Sequence, residues 1–259
     1  MKTALIGNSG FVGSNIALQS QFTHFFNSKN IDDIRGEEFD LVVCAGVPAV
    51  KWWANQNPEE DLKVINTLAD IFRSIQTQRF VLISTVDVYP NPFDVDENTL
   101  IDVKSVAPYG RHRLMLEHKL QDAFDRFHAI RLPGLFGKGL KKNVLYDLIS
   151  HNILDKINPE SEFQWYPLSR IWLDIQVVIE NNLKITNFAV EPLRSSAIIE
   201  QFFQELDIGS EPFPLAKYDV QTVHAGHFGC SNEHYIMTSE QILAEMALWL
   251  KNPEIYNAR

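Results

Sequence analysis

The chain has 259 residues, 45% of them apolar and 22% charged, which fits an α/β domain with a modest second lobe and excludes disordered, collagenous and low-complexity classes. With 23 Lys and Arg against 33 Asp and Glu, the formal charge of -10 argues against a nucleic-acid partner, since a phosphate backbone repels such a surface. Two cysteines, Cys44 and Cys230, cannot make a disulfide framework, no run reaches the ~18 apolar residues of a membrane span, and the start shows no signal-peptide pattern. A reduced, cytoplasmic protein without a membrane partner is expected.

Thr3-Ala4-Leu5-Ile6 reads as a short strand, followed at once by Gly7, Gly10 and Gly13 and a helix carrying Phe11, Val12, Ile16, Ala17 and Leu18. A second apolar run at 22–26 completes β-α-β, and 40–45 reads as a strand buried on both faces. A long loop at 46–57 holds Lys51-Trp52-Trp53, whose indoles either wall a ligand pocket or divide between core and surface. Pro58 and three acids open a helix with Leu62, Ile65, Leu68, Ala69 and Phe72 at three- and four-residue spacing. A strand at 80–84, a Pro- and acid-rich loop at 90–104, a helix from 109 to about 124 and a strand at 128–131 follow. This alternation predicts an α/β, doubly wound parallel sheet of Rossmann type, spanning 1–134 and completed by 165–190. Residues 135–164 and 191–259 are expected to form a small interleaved lobe. It should contain a loop at 134–143, a helix at 144–149, a strand at 163–166, helices at 195–206 and 238–250, and a Pro- and Gly-rich loop at 209–229.

Gly7-Asn8-Ser9-Gly10-Phe11-Val12-Gly13 places GxxGxxG between a strand and a helix, where glycines let the backbone approach a pyrophosphate and present helix N-terminal N–H groups to it. Gly7, Ser9, Gly10, Phe11, Val12 and Gly13 are therefore candidate NAD(P) contacts; without a following Gly-Lys-Ser/Thr, a P-loop is excluded. NAD recognition usually shows an acid at the end of the second strand. Here Asn27-Ser28-Lys29 stands there instead, and a hydroxyl and a lysine suit a 2′-phosphate, favouring NADP, unless Lys29 is only a solvated loop charge.

Three further segments carry a family resemblance. Ile83-Ser84-Thr85-Val86-Asp87-Val88-Tyr89, Pro108-Tyr109-Gly110-Arg111-His112-Arg113, and Arg131-Leu132-Pro133-Gly134-Leu135-Phe136-Gly137 resemble the extended short-chain dehydrogenase/reductase superfamily, in its nucleotide-sugar epimerase/dehydratase branch. With the opening glycines, the resemblance covers about the first 140 residues. It implies that Tyr109 is the acid/base for a substrate hydroxyl or carbonyl, and that Thr85, with Ser84 beside it, hydrogen-bonds the reacting oxygen. It implies cofactor contacts from Cys44, Ala45, Gly46, Asn66, Leu132 and Pro133 as well as Tyr109 and Arg113, and a homodimer through the helices from Pro58 and Tyr109. The chain departs from the family at Arg113, which occupies the position of a lysine four residues beyond the tyrosine. Positions i and i+4 share a helix face, so either cation can stabilise a tyrosinate, whose phenol ordinarily titrates at about 10, but arginine cannot carry a proton.

The expected activity is NAD(P)-dependent oxidoreductase, epimerase or dehydratase chemistry on a sugar nucleotide or similar hydroxylated small molecule. The alternative is an NAD(P)-binding regulator or scaffold that has lost turnover. Asp87 either assists proton transfer or is an exposed loop carboxylate; Asn66 either nears the site or faces solvent. Lys138, Lys141 and Lys142 either meet a diphosphate or are solvated. His224, His227, Cys230 and His234 carry zinc-type donors but not a structural-zinc spacing, so no metal is expected.

Overall fold

Short, bare apolar runs form the centre of the fold in the computed structural model, which describes residues 1–252. Strands β1 (Thr3–Ile6), β2 (His24–Phe26), β3 (Leu41–Cys44), β4 (Phe80–Thr85), β5 (Phe127–Leu132) and β6 (Ile185–Asn187) make one parallel sheet in the order β6-β5-β4-β3-β1-β2. Every residue of β1, β3 and β5 is buried, which explains why these strands lack alternation: helices cover both faces.

Those helices are α1 (Phe11–Gln19), α2 (Lys51–Gln56), α3 (Pro58–Arg73), α4 (Pro108–Gln121) and α5 (Ile171–Glu180). Strand residues of one parity, Ala4, Ile6, Val42, Cys44, Phe80 and Leu82, join Ile65, Ala69 and Phe72 of α3 and Leu116 and Leu120 of α4 in a single apolar cluster. Beside the sheet, α1 neighbours α5, with the Phe22 and Trp172 rings in edge contact at 5.5 Å. Pro58 at the start of α3, with Glu59, Glu60 and Asp61 in its first turn, fixes where that helix begins.

The chain divides into two units. The first comprises 1–91, 97–132 and 171–187 and holds the sheet. The second comprises 92–96, 133–170 and the chain from 188 onward, and is built from two-stranded pairings. Gly134–Phe136 runs parallel to Trp165–Pro167, Glu162–Phe163 antiparallel to Leu193–Arg194, and Phe93–Val95 parallel to Asp219–Val220. Its helices are Val144–Ser150, Ser195–Phe202 and Ser239–Leu250, the last closed by a Thr238–Gln241 capping box.

Several sequence expectations are corrected. The single strand at 163–166 is split, because the buried Gln164 donates to the Val190 and Val220 carbonyls and accepts from the Val220 N–H, sending its flanks to different partners. The loops at 134–143, 90–104 and 209–229 each contain a strand of two or three residues, too short to show any period. Helix 195–206 ends at Phe202, and helix 109–124 runs from Pro108 to Gln121. The loop 46–57 contains α2. With Ala54 its one buried residue, Trp52 exposed and Val50 as an uncapped start, α2 has neither apolar stripe nor capping signal to announce it.

Candidate active site

In the sheet order, β1 lies between β2 and β3; the connection leaving β1 goes to one side, to β2, and the one leaving β3 goes to the other, to β4, so the winding reverses between the carboxyl ends of β1 and β3. Parallel α/β sheets bind ligands in the crevice outside such a point. Gly7, in the left-handed region at φ +85°, turns the chain there; its N–H donates to the Phe26 carbonyl at 2.7 Å. A Cβ on Gly7 would lie 2.5 Å from Gly46, and one on Gly13 would lie 2.1 Å from the Gly7 carbonyl oxygen. A Cβ on Gly10 would meet only that carbonyl, at 3.3 Å. Gly7, Gly13 and Gly46 are thus packed backbone against backbone, whereas Gly10 borders open space at the uncapped start of α1. The cradle and the N–H groups of a nine-residue helix fit a pyrophosphate.

Around this turn, Ser9 is exposed and Phe11, Val12, Ala45 and Gly46 are half-buried. Asn27, Ser28 and Lys29 follow β2 directly: the Asn27 side chain accepts from the Lys29 N–H, Asn30 closes the turn, and Ser28 and Lys29 face solvent. The Cys44 side chain lies wholly inside the core, and burial pushes its thiol up to about 12. Only its backbone is placed toward the crevice.

The second group of candidates gathers at the start of α4. The Tyr109 ring is 7% exposed, and its phenol lies beside Thr85 at the carboxyl end of β4. The Arg113 guanidinium lies 4.1 Å from the Tyr109 ring centroid, so the i, i+4 pairing forms as a stack. Burial pushes the phenol above its ordinary value; Arg113 opposes this, Asp87 adds to it, and Lys51 opposes it again. The cation at the family's lysine position therefore does not by itself make Tyr109 acidic.

Arg113 is 4% exposed and closely held. Its terminal nitrogens donate to Asp61 of α3 at 2.6 and 3.0 Å, to the Tyr109 carbonyl at 3.1 Å and to the Pro48 carbonyl, leaving only Nε without a partner. Asp61, itself buried, also takes His112 Nδ1 at 2.7 Å. Asp61→Ala should cost about 3–5 kcal/mol in urea unfolding, because it strands a buried guanidinium; a cost near that of a surface substitution would show that Arg113 reaches water.

The structure does not bring Ser84 to this group. Adjacent strand residues point to opposite sides, and the Ser84 hydroxyl donates to the buried Glu117 of α4. Glu117 in turn receives the Arg131 guanidinium through Nε at 3.2 Å and Nη2 at 2.7 Å, and Arg131 donates to Tyr89 Oη at 2.9 Å. Asn66 accepts from Lys119 at 2.7 Å, along the α3–α4 seam rather than beside Tyr109. Leu132 ends β5 in register with Thr85, and Pro133 opens the second unit. Lys138, Lys141 and Lys142 are exposed, and among the described residues no group of three or more His, Cys, Asp or Glu could hold a metal ion.

Three residues of the site escape a linear reading. Asn55 of α2 accepts the Tyr109 backbone N–H at 2.9 Å, capping α4 from a different helix. Asp61 pairs across 52 positions with Arg113. Gly110 lets α4 settle on the Asp87 backbone, where a Cβ would lie 1.8 Å from the carbonyl oxygen. Of these, only the glycine next to Tyr109 leaves a trace in the sequence.

A family model described as the NAD dependent epimerase/dehydratase family matches residues 23–161. That span leaves the glycine turn outside, so the cradle stands on its own geometry. No curated protein sequence gives a match. Among solved structures, the chain is similar to UDP-N-acetylglucosamine 4-epimerase from Methanobrevibacter ruminantium M1 in complex with UDP-N-acetylmuramic acid, with 14% identity, 96% of this chain and 97% of that chain covered, and a TM-score of 0.73. It is similar to RMD from Pseudomonas aeruginosa complexed with NADPH (14% identity, 98% and 100% covered, TM-score 0.71). It is also similar to MoeE5 in complex with UDP-glucose and NAD (14% identity, 97% and 99% covered, TM-score 0.71). At these identities the likeness is one of fold.

Proposed function

The chain belongs to the NAD-dependent epimerase/dehydratase family, and from that premise we propose that it carries out NAD(P)-dependent chemistry on a hydroxyl or carbonyl of a sugar nucleotide. The observation that carries this reading is the gathering, outside the carboxyl ends of β1, β3 and β4, of a glycine cradle and a buried tyrosine beside Thr85. When bound, the nicotinamide supplies or accepts a hydride. Gly7, Gly10, Gly13 and the start of α1 would hold the pyrophosphate, with the Ala45 and Gly46 backbone alongside. Tyr109 takes the substrate hydroxyl proton or returns it, while Thr85 orients the same oxygen. Arg113 fixes the Tyr109 ring by stacking and contributes a standing positive field. Incubation with a panel of sugar nucleotides and either cofactor, followed by mass spectrometry, tests the reading: a changed sugar supports it, and cofactor binding with every sugar returned unaltered counts against it.

One observation favours a second reading. Because Arg113 is committed to Asp61, the chain has lost the mobile ammonium that the family resemblance places there, which suits a cofactor-binding regulator without turnover.

The cofactor is assigned as NADP rather than NAD, on the exposed Ser28 and Lys29 and the absence of an acid at the end of β2. Lys29→Glu should weaken NADPH about tenfold and NADH little in isothermal titration, since it sets a carboxylate against a 2′-phosphate. Equal weakening of both would remove the NADP assignment. The half-buried Leu62, Leu68 and Met115 and the exposed Val64 on α3 and α4 support a homodimer, which light scattering should report as the mass of two chains. The unpaired Cys44 and Cys230 suit a cytoplasmic location.

A further inference from the structure

Lys51 approaches the Tyr109 phenol from a different element than Arg113 does. Lys51 and Asn55 stand four residues apart on α2 and so share one of its faces, and Asn55 is tied to the Tyr109 backbone N–H. From the other side, α4 rests on the Asp87 backbone at Gly110. Between these anchors Lys51 Nζ meets Asp87 Oδ1 at 2.6 Å, with the lysine side chain 50% exposed and the aspartate 22%. The Asp87 N–H donates to Thr85 Oγ1 at 3.1 Å, and Thr85 lies beside the phenol. Polar groups thus lead from Thr85, beside the buried Tyr109, through Asp87 to an ammonium that is half open to water.

We propose that Lys51, anchored on Asp87, is the positioning residue that sets how readily Tyr109 ionises, so that the adjustable cation of the site sits on α2 rather than one turn along α4. The proposal rests on Tyr109 being the acid/base of the function given above. The charged groups facing the phenol are Arg113 on its own helix, Asp87 beyond β4 and Lys51 on α2; behind Arg113 lie Asp61 of α3 and His112 of α4. Arg113 exerts the larger pull on the phenol, but it is permanently charged and clamped, and its field does not vary. Lys51 is a compact ammonium on a flexible stem in contact with water. Without it, the Asp87 carboxylate would stand uncompensated beside the phenol and hold its proton in place.

The test needs no turnover. A 3,5-difluorotyrosine placed at position 109 brings the phenol titration into an accessible range and gives a fluorine NMR signal of its own, read on the cofactor-free protein. Lys51→Met should raise that titration midpoint by about 1 unit at low salt, a tenfold change in ionisation, with the difference shrinking as salt is added. Lys51→Arg should restore the wild-type midpoint, which a merely structural effect of α2 would not do. An unchanged midpoint in Lys51→Met, or one that Lys51→Arg fails to restore, overturns the proposal. If the midpoint moves as stated while no sugar nucleotide is ever turned over, Lys51 keeps its assignment and the proposed function fails.

Discussion

Tyr109→Phe should lower kcat by about 10²–10⁴-fold, the usual worth of a positioned acid/base, while leaving the affinity for NAD(P)H nearly unchanged. The ring is packed beneath the Arg113 guanidinium, and that stacking does not need the hydroxyl. What disappears is the ionisable oxygen of the site that lies buried beside Thr85. The split between turnover and binding is the informative part. A loss of both would mean that the phenol holds the cofactor; a loss of neither would mean that the motif is an inherited shape.

The glycine turn should separate folding from binding. Gly13→Ala places a Cβ 2.1 Å from the Gly7 carbonyl oxygen, where only backbone can give way, and should cost about 3 kcal/mol in urea unfolding. Gly10→Val meets a single backbone oxygen at 3.3 Å, so the fold should persist, but its branched side chain fills the volume beside the start of α1. A loss of at least about 100-fold in NAD(P)H affinity is expected from Gly10→Val with little change in the unfolding midpoint. If Gly10→Val binds cofactor normally, the pyrophosphate is not held by this turn.

What could be read from the sequence was local. Strand runs such as 40–45 and 80–84, the helix opening at Pro58 and the spacing of Gly7, Gly10 and Gly13 depend on neighbours within a few positions, and each element formed, the strands at 41–44 and 80–85. Tyr109 and Arg113 likewise meet through the helical repeat alone. Contacts that determine what Arg113 does are through-space. Asp61 looked like one acid among three in a first turn, yet it alone is buried and takes both His112 and Arg113. Lys51 stood in a segment with no helical stripe, and its nearness to Tyr109 depends on Asn55 capping α4 and on Gly110 admitting Asp87. Ser84 stood beside Thr85 in the motif as a second hydroxyl for the site, although strand alternation already forbids both from facing one oxygen. The second unit was least legible, because its strands are two or three residues long and pair with distant segments.

The pH dependence of kcat/KM for substrate oxidation, in the wild type and in Tyr109→Phe, tests Tyr109 as the acid/base most directly. A hydroxyl is oxidised only when Tyr109 can accept its proton, so the rate should rise with pH along a limb set by the phenol. Burial pushes that limb upward, and the cations Arg113 and Lys51 draw it back. The expected result is a rising limb in the wild type that is absent from a greatly slowed Tyr109→Phe. The same limb at the same height in Tyr109→Phe would contradict the assignment, and would place the proton with another group.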